Sequence, residues 1–98
     1  VQFSVELRDR VLAGDITVSF RLWRRSKVKA GSRYHVGAGQ IEVDSVELIP
    51  LAAITMADVR GAGEPDRGSL RKRAAHTGPI ADETLLYRVE FHPVRPDQ

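Results

Sequence analysis

Between Gln40 and Leu51 apolar residues alternate with polar ones, but the alternation changes phase partway. Ile41 and Val43 fall on one face and Val46 and Leu48 on the other, with Asp44-Ser45 between them. Side chains along a strand repeat every two residues, so one continuous strand cannot present both pairs to one core without an extra residue. The chain therefore has to bulge or bend near Asp44, as strands do at the corners of small barrels. With 98 residues and no cysteine, one modest apolar core must hold the chain together without disulfides. A bent, barrel-like sheet is the expectation, rather than a flat one.

The other elements follow from local signals. Val1 to Phe3 read as extended, Ser4 as an N-cap, and Leu7, Val11 and Leu12 as the apolar stripe of a helix from Val5 to Ala13. Gly14 stands where a helix ends in a left-handed residue. Strands are predicted from Ile16, from Arg33 to Val36, from Gln40 to Leu51 and from Thr84 to His92. Ala30-Gly31-Ser32 and Gly37-Ala38-Gly39 form the turns between them. In the last strand Leu85, Tyr87, Val89 and Phe91 are expected inward and Arg88, Glu90 and His92 outward. Thr55 with Asp58 three residues on predicts a capping box, with Ile54 stapled onto Val59. Gly61 and Gly63 stop that helix, Pro65-Asp66 starts another bearing Leu70, Ala74 and Ala75, and Gly78-Pro79 ends it. The whole, 1–98, reads as a single domain frayed at 1–3 and 93–98. It is of α+β class: a small mixed β-barrel of about five strands with short helices between them.

The stretch from Ile16 to Arg33 carries the candidate site. Ile16, Val18, Phe20 and Leu22 alternate with Thr17, Ser19, Arg21, Trp23 and Arg25, which places hydroxyls, arginines and an indole in one row opposite the core. Arg21, Arg24, Arg25, Lys27, Lys29 and Arg33 put six cations into thirteen residues. Two readings fit. The cations can bind a phosphate backbone while Trp23 stacks on a base, or they can simply solvate a strand and keep its edge from aggregating. An exposed Trp between cations needs more explanation than an exposed Arg, which favours binding.

The remaining candidates have plainer readings. The formal net charge of +2 is too small to argue for a polyanionic partner, so the local clustering has to carry that argument. Arg67, Arg71, Lys72 and Arg73 read as a solvated helix face. His35, His76 and His92 show no ligand spacing, so no metal site is expected, and no cofactor is called for. Glu42 and Asp44 share a strand face and read as solvated charges. No apolar run is long enough to cross a bilayer and no signal segment opens the sequence, so a cytoplasmic protein without membrane association is expected.

In order, the first helix, Gly14, the strand T-V-S-F-R, the turn and strand G-S-R-Y-H-V-G, the strand I-E-V-D-S-V-E-L, a helical insert and the closing Y-R-V-E-F resemble an ASCH domain. The resemblance covers nearly the whole chain and centres on a motif of the form G-x-K-x-x-E-x-R, in which Thr can replace Glu. It implies a PUA-like barrel with a cleft at the motif strand, and RNA-related work. Some similar bacterial members hydrolyse acetylated cytidine with a motif lysine, a motif threonine and a glutamate from the insert. Gly14 and Arg21 match the motif, the lysine position falls on Ile16, and the threonine position falls on Ser19. The insert glutamate falls near Ala62, with Glu64 two residues later as the nearest carboxylate.

The sequence thus favours a nucleic-acid-binding module, with RNA as the expected partner and DNA as the alternative nucleic acid. Its contacts would be Arg21, Trp23, Arg24, Arg25, Lys27, Lys29 and Arg33. A ribonucleoside or RNA hydrolase with an altered motif is the second reading, with Ser19, Arg21 and Glu64 as the catalytic candidates.

Overall fold

The computed structural model describes residue 3, residues 5–75 and residues 80–94. Ser4, His76, Gly78-Pro79 and the tail with Pro96 lie outside these. The elements are α1 (Val5–Ala13), β1 (Val18–Arg21), β2 (Arg33–Val36), β3 (Gly39–Pro50), a 3₁₀ turn (Leu51–Ala53), α2 (Met56–Gly61), α3 (Arg67–Ala74) and β4 (Leu85–Val94).

The strands form one open sheet in the order β1-β4-β3-β2, and every pairing is antiparallel. This corrects the expectation of a mixed five-stranded barrel. The long stretch expected to continue beyond Ile16 gives only four strand residues, Val18–Arg21. The following segment leaves the sheet, because Val28 turns inward and is buried in the core. The change of phase in β3 is resolved by an irregularity: Val43 pairs with Phe91 and Ser45 with Glu90, leaving Asp44 as the extra residue. That returns Val46 to the side of Val89, its partner on β4. β4 also runs on through Pro93 and Val94, which pair with Ile41 and Gln40, so the fraying expected from residue 93 does not begin there.

Apolar clusters cover both faces of the sheet. One unites Val11 of α1 with Ile16, Val28, Val36, Ile41, Val43, Val89, Phe91 and Phe3. The other unites Val18, Phe20 and Leu86 with Leu51, Ile54, Val59, Leu70, Ala74 and Ile80 from the segment between β3 and β4. β4 lies between two strands and two layers, so it is buried on both faces at its centre. Val89 and Phe91 are buried as expected, but the start of the strand is corrected: Leu86 is fully buried in the second cluster while Leu85 is 49% exposed.

Local chemistry sets where the insert docks. Thr55 caps α2 by accepting from the Asp58 amide at 3.1 Å, while Asp58 Oδ2 accepts from the Thr55 amide at 3.3 Å. The other oxygen, Asp58 Oδ1, accepts from Arg88 Nη2 at 3.0 Å and Nε at 3.2 Å, which ties the cap to β4. Burial alone would raise the Asp58 carboxyl, but the Arg88 and Thr55 bonds outweigh it and hold it below the usual carboxylate range. Burial likewise opposes the charge on Arg88, yet the bond and charge of Asp58, with Glu90 after it, raise that guanidinium above its ordinary value. Asp66 caps α3, accepting from the Ser69 amide at 2.8 Å.

Between α2 and α3 the chain turns against β1. The Thr17 amide donates to the Gly61 carbonyl at 2.9 Å. Gly63 has φ +79°, and a Cβ there would lie 2.7 Å from Ile16 Cδ1. Only glycine allows so close an approach in that conformation. Arg67, Arg71, Lys72 and Arg73 are exposed, as the solvated-helix reading expects, but three of them also make specific bonds. Arg67 donates to the Ile54 carbonyl, Arg71 to the Ile80 carbonyl and Arg73 to Glu64, so these three cations fasten the insert.

Candidate nucleic-acid interface

The outer edge of β1 forms one wall of a cavity of about 600 Å³. Strand residues Ser19 and Arg21, loop residues Trp23 and Lys27, and Glu64 and Arg73 of the insert supply its polar groups and its indole. Ile16, Val18, Leu70 and Ala74 contribute buried apolar wall. Ile16, at the motif lysine position, therefore faces the cavity but brings neither charge nor base.

Ser19 and Arg21 are two apart on a strand and share a face. Arg21 Nε donates to Ser19 Oγ at 2.8 Å, and its guanidinium carbon lies 5.0 Å from the centroid of the Phe3 ring, within cation–π range. Burial, and after it the charge of Arg73, lower the Arg21 guanidinium below its ordinary value. It nonetheless stays charged, as arginine does throughout the physiological range. Glu64 is the one buried charged residue among those described, and its carboxylate accepts from Arg73 Nε. The three catalytic candidates, Ser19, Arg21 and Glu64, are thus brought to one cavity by strand and insert together.

The expected exposed row is not uniformly exposed. Thr17 and Arg25 are in solvent, but Ser19, Arg21 and Trp23 are half-buried. Trp23 packs on Tyr87 with ring centroids 5.9 Å apart and against the first core cluster. It also borders a second, shallow depression lined by Leu22, Trp23, Arg24, Arg25, Ser26 and Lys27. Cavity and depression share Leu22, Trp23 and Lys27, so the indole stands at their junction.

The basic loop is held rather than loose. Val28 is buried between Lys27 and Lys29, both exposed. Ser26 Oγ donates to the Val28 carbonyl at 2.6 Å, and the Lys29 amide donates to Tyr34 Oη at 2.9 Å. The Gly31 amide donates to the Val43 carbonyl at 2.7 Å. Among the described residues Arg24, Arg25, Lys27 and Lys29 form no ion pair, whereas Arg33 pairs with Glu42 at 3.2 Å. Arg33 therefore stands apart from the others, at the far edge strand β2.

One grouping was not legible in the sequence. His92 Nδ1 lies 2.8 Å from Asp44 Oδ1, and His92 Nε2 lies 3.9 Å from Glu42 Oε2. Glu42 and His92 are cross-strand partners and the irregularity brings Asp44 alongside. No spacing rule joins residues so far apart in sequence. Glu42 and His92 lie on the sheet face opposite Ser19 and Arg21, so the group is no part of the cavity.

No family model matches the sequence, and no curated protein does. Solved structures do match. An ASCH domain from Lactobacillus crispatus superposes with a TM-score of 0.72 at 17% identity, over 90% of this chain and 70% of that one. An ASCH protein from Zymomonas mobilis gives 0.66 at 14% identity, over 100% of this chain and 73% of that one. A protein of Enterococcus faecalis from the family DUF984 gives 0.67 at 15% identity, over 91% and 67%. The chain is a small α+β protein with the ASCH-type fold. At these identities the likeness establishes the fold alone.

Proposed function

We propose that this protein is a single-stranded RNA-binding module. One observation carries the reading: the exposed cations Arg24, Arg25 and Lys27, which form no ion pair among the described residues, line a depression that meets the cavity at Leu22, Trp23 and Lys27. Arg24, Arg25, Lys27 and Lys29 contact successive phosphates, each displacing counterions. Trp23 offers the part of its ring that Tyr87 leaves open, and stacking on one base is worth about 1–3 kcal/mol. Arg21 draws the strand toward the cavity, and Arg33 adds a contact at β2 once released from Glu42. A flat basic surface would accept any polyanion; the cavity and indole favour a strand with unpaired bases over a duplex.

The meeting of Ser19, Arg21 and Glu64 supports a second reading, hydrolysis of a nucleoside amide or of RNA. Against it, no base accepts the Ser19 hydroxyl proton among the described residues, and Glu64 is tied to Arg73, so neither is placed as an activated nucleophile or base. Release of acetate from acetylated cytidine, and loss of full-length RNA, test that reading directly.

The binding reading is tested by fluorescence anisotropy with a short single-stranded RNA. Arg21→Ala/Arg25→Ala weakens binding by roughly tenfold or more while far-UV circular dichroism stays native, in line with the loss of two charge-assisted contacts. Unchanged affinity in a folded double variant overturns it.

A further inference from the structure

His92 stands on β4 between two carboxylates, on the sheet face away from the cavity. The register sets Glu42 directly across from it and Arg33 across from Glu42, and the irregularity of β3 brings Asp44 alongside. Asp44 Oδ1 lies 2.8 Å from His92 Nδ1. Nδ1–H donates across that distance, so the neutral ring keeps its proton there and carries a lone pair on Nε2. Nε2 lies 3.9 Å from Glu42 Oε2, beyond hydrogen-bond reach whether or not the ring is protonated. Arg33 Nε donates to the other carboxylate oxygen, Glu42 Oε1, at 3.2 Å. Two metal-ligating atoms thus stand across a gap, each group oriented through its second atom, His92 by Asp44 and Glu42 by Arg33. An ion pair with a protonated ring accounts for the Asp44 contact but leaves Nε2 and Oε2 unjoined. A cation between them joins both.

The dimensions and the chemistry agree. One donor atom each from Glu42, Asp44 and His92 falls within 4.8 Å of the others. A zinc ion about 2.1 Å from Nε2 and Oε2, at the tetrahedral angle, holds them about 3.4 Å apart. Closing the gap takes a shift of about half an ångström, which rotation of side chains 47% and 32% exposed supplies. Imidazole beside carboxylate suits zinc and its first-row neighbours, whereas magnesium and calcium take oxygen donors. A carboxylate on the far nitrogen of a metal-bound histidine fixes its tautomer and raises its basicity, and Asp44 holds that position.

From this arrangement we propose that His92 and Glu42 bind one zinc-class divalent ion through Nε2 and Oε2, with water at the remaining coordination positions. Asp44 is a positioning residue that acts through the ring. The site is separate from the RNA-binding reading and does not depend on it.

The test is calorimetric titration of the untagged chain with zinc. The unaltered chain takes up a single zinc ion saturably; nickel competes for it and a large excess of magnesium does not. His92→Gln and Glu42→Gln each weaken zinc binding about tenfold or more, while far-UV circular dichroism stays native. His35→Gln, an exposed histidine on β2, leaves it unchanged. Asp44→Ala weakens it about tenfold, and Asp44→Asn, whose amide oxygen still accepts from Nδ1–H, recovers most of that loss. Ring-nitrogen NMR shows the His92 proton on Nδ1 and a zinc-induced shift of Nε2. No zinc uptake, uptake unaffected by His92→Gln, or displacement by magnesium overturns the site and leaves a cross-strand ion pair. Asp44→Ala binding zinc as well as the unaltered chain overturns the positioning role.

Discussion

Removing Arg73 exposes how the cavity is held. Glu64 has only 6% of its side chain exposed, whereas Arg73 has 50%. Breaking a fully buried pair from one side costs about 3–5 kcal/mol, because a charge is stranded in a poorly solvating site. Here half of the arginine already lies in water, and water can follow the vacated space toward the carboxylate. The cost of Arg73→Met is therefore reduced to about 1–3 kcal/mol. Glu64→Gln strands no anion and keeps an acceptor oxygen for Arg73, so it costs less than about 1 kcal/mol. The double substitution should be more stable than Arg73→Met alone, since removing the carboxylate's charge removes the penalty. Urea unfolding of the four proteins gives this ordering through a double-mutant cycle. If Arg73→Met costs less than about 0.5 kcal/mol, or the two substitutions simply add, the carboxylate is not buried behind the guanidinium and the cavity is not built as described.

Four further substitutions test the frame around the site. Leu86→Ala should cost about 2–5 kcal/mol and Leu85→Ala less than about 0.5 kcal/mol in urea unfolding, the opposite of what simple alternation along β4 predicts. Gly63→Ala should cost about 2–4 kcal/mol, combining a left-handed backbone with a Cβ placed 2.7 Å from Ile16 Cδ1; a loss under about 0.5 kcal/mol would show that the insert does not press on β1. Asp58 is held below its unfolded value, so its contribution is present above about pH 4 and is lost as pH falls through the folded value. Stability measured from about pH 7 down to about pH 3 should decline less steeply in Asp58→Asn than in the natural chain, and parallel curves would refute the Asp58–Arg88 tie.

What could be read from the sequence was local. The capping box at Thr55 and Asp58, the left-handed Gly14 with φ +85°, and the irregularity at Asp44 each depend on a few neighbouring residues, and each is present in the structure. What was misread depended on contacts between distant segments. Alternation from Ile16 to Arg25 looked like one long strand, yet burial of Val28 pulls the chain away after Arg21. Leu85 and Leu86 are indistinguishable by type; the layer packed on each face of β4 decides which is buried. Arg67, Arg71 and Arg73 are exposed as the sequence suggests, but their acceptors, the Ile54 and Ile80 carbonyls and Glu64, are brought to them only by folding of the insert. Glu64 itself came to notice through its place near a family position, and no local pattern marks it as buried. Trp23 was recognised as unusual, but its half-burial against Tyr87 links residues 64 positions apart.

The salt dependence of single-stranded RNA binding tests the central claim most directly. Arg24, Arg25, Lys27 and Lys29 are exposed and form no ion pair among the described residues. At about 0.7 counterions released per phosphate contacted, these four cations with Arg21 and Arg33 should give log K a slope of about −4 against log salt, and Arg25→Ala/Lys29→Ala should bring it to about −3. A slope near zero, or one that the double substitution leaves unchanged, would contradict the account.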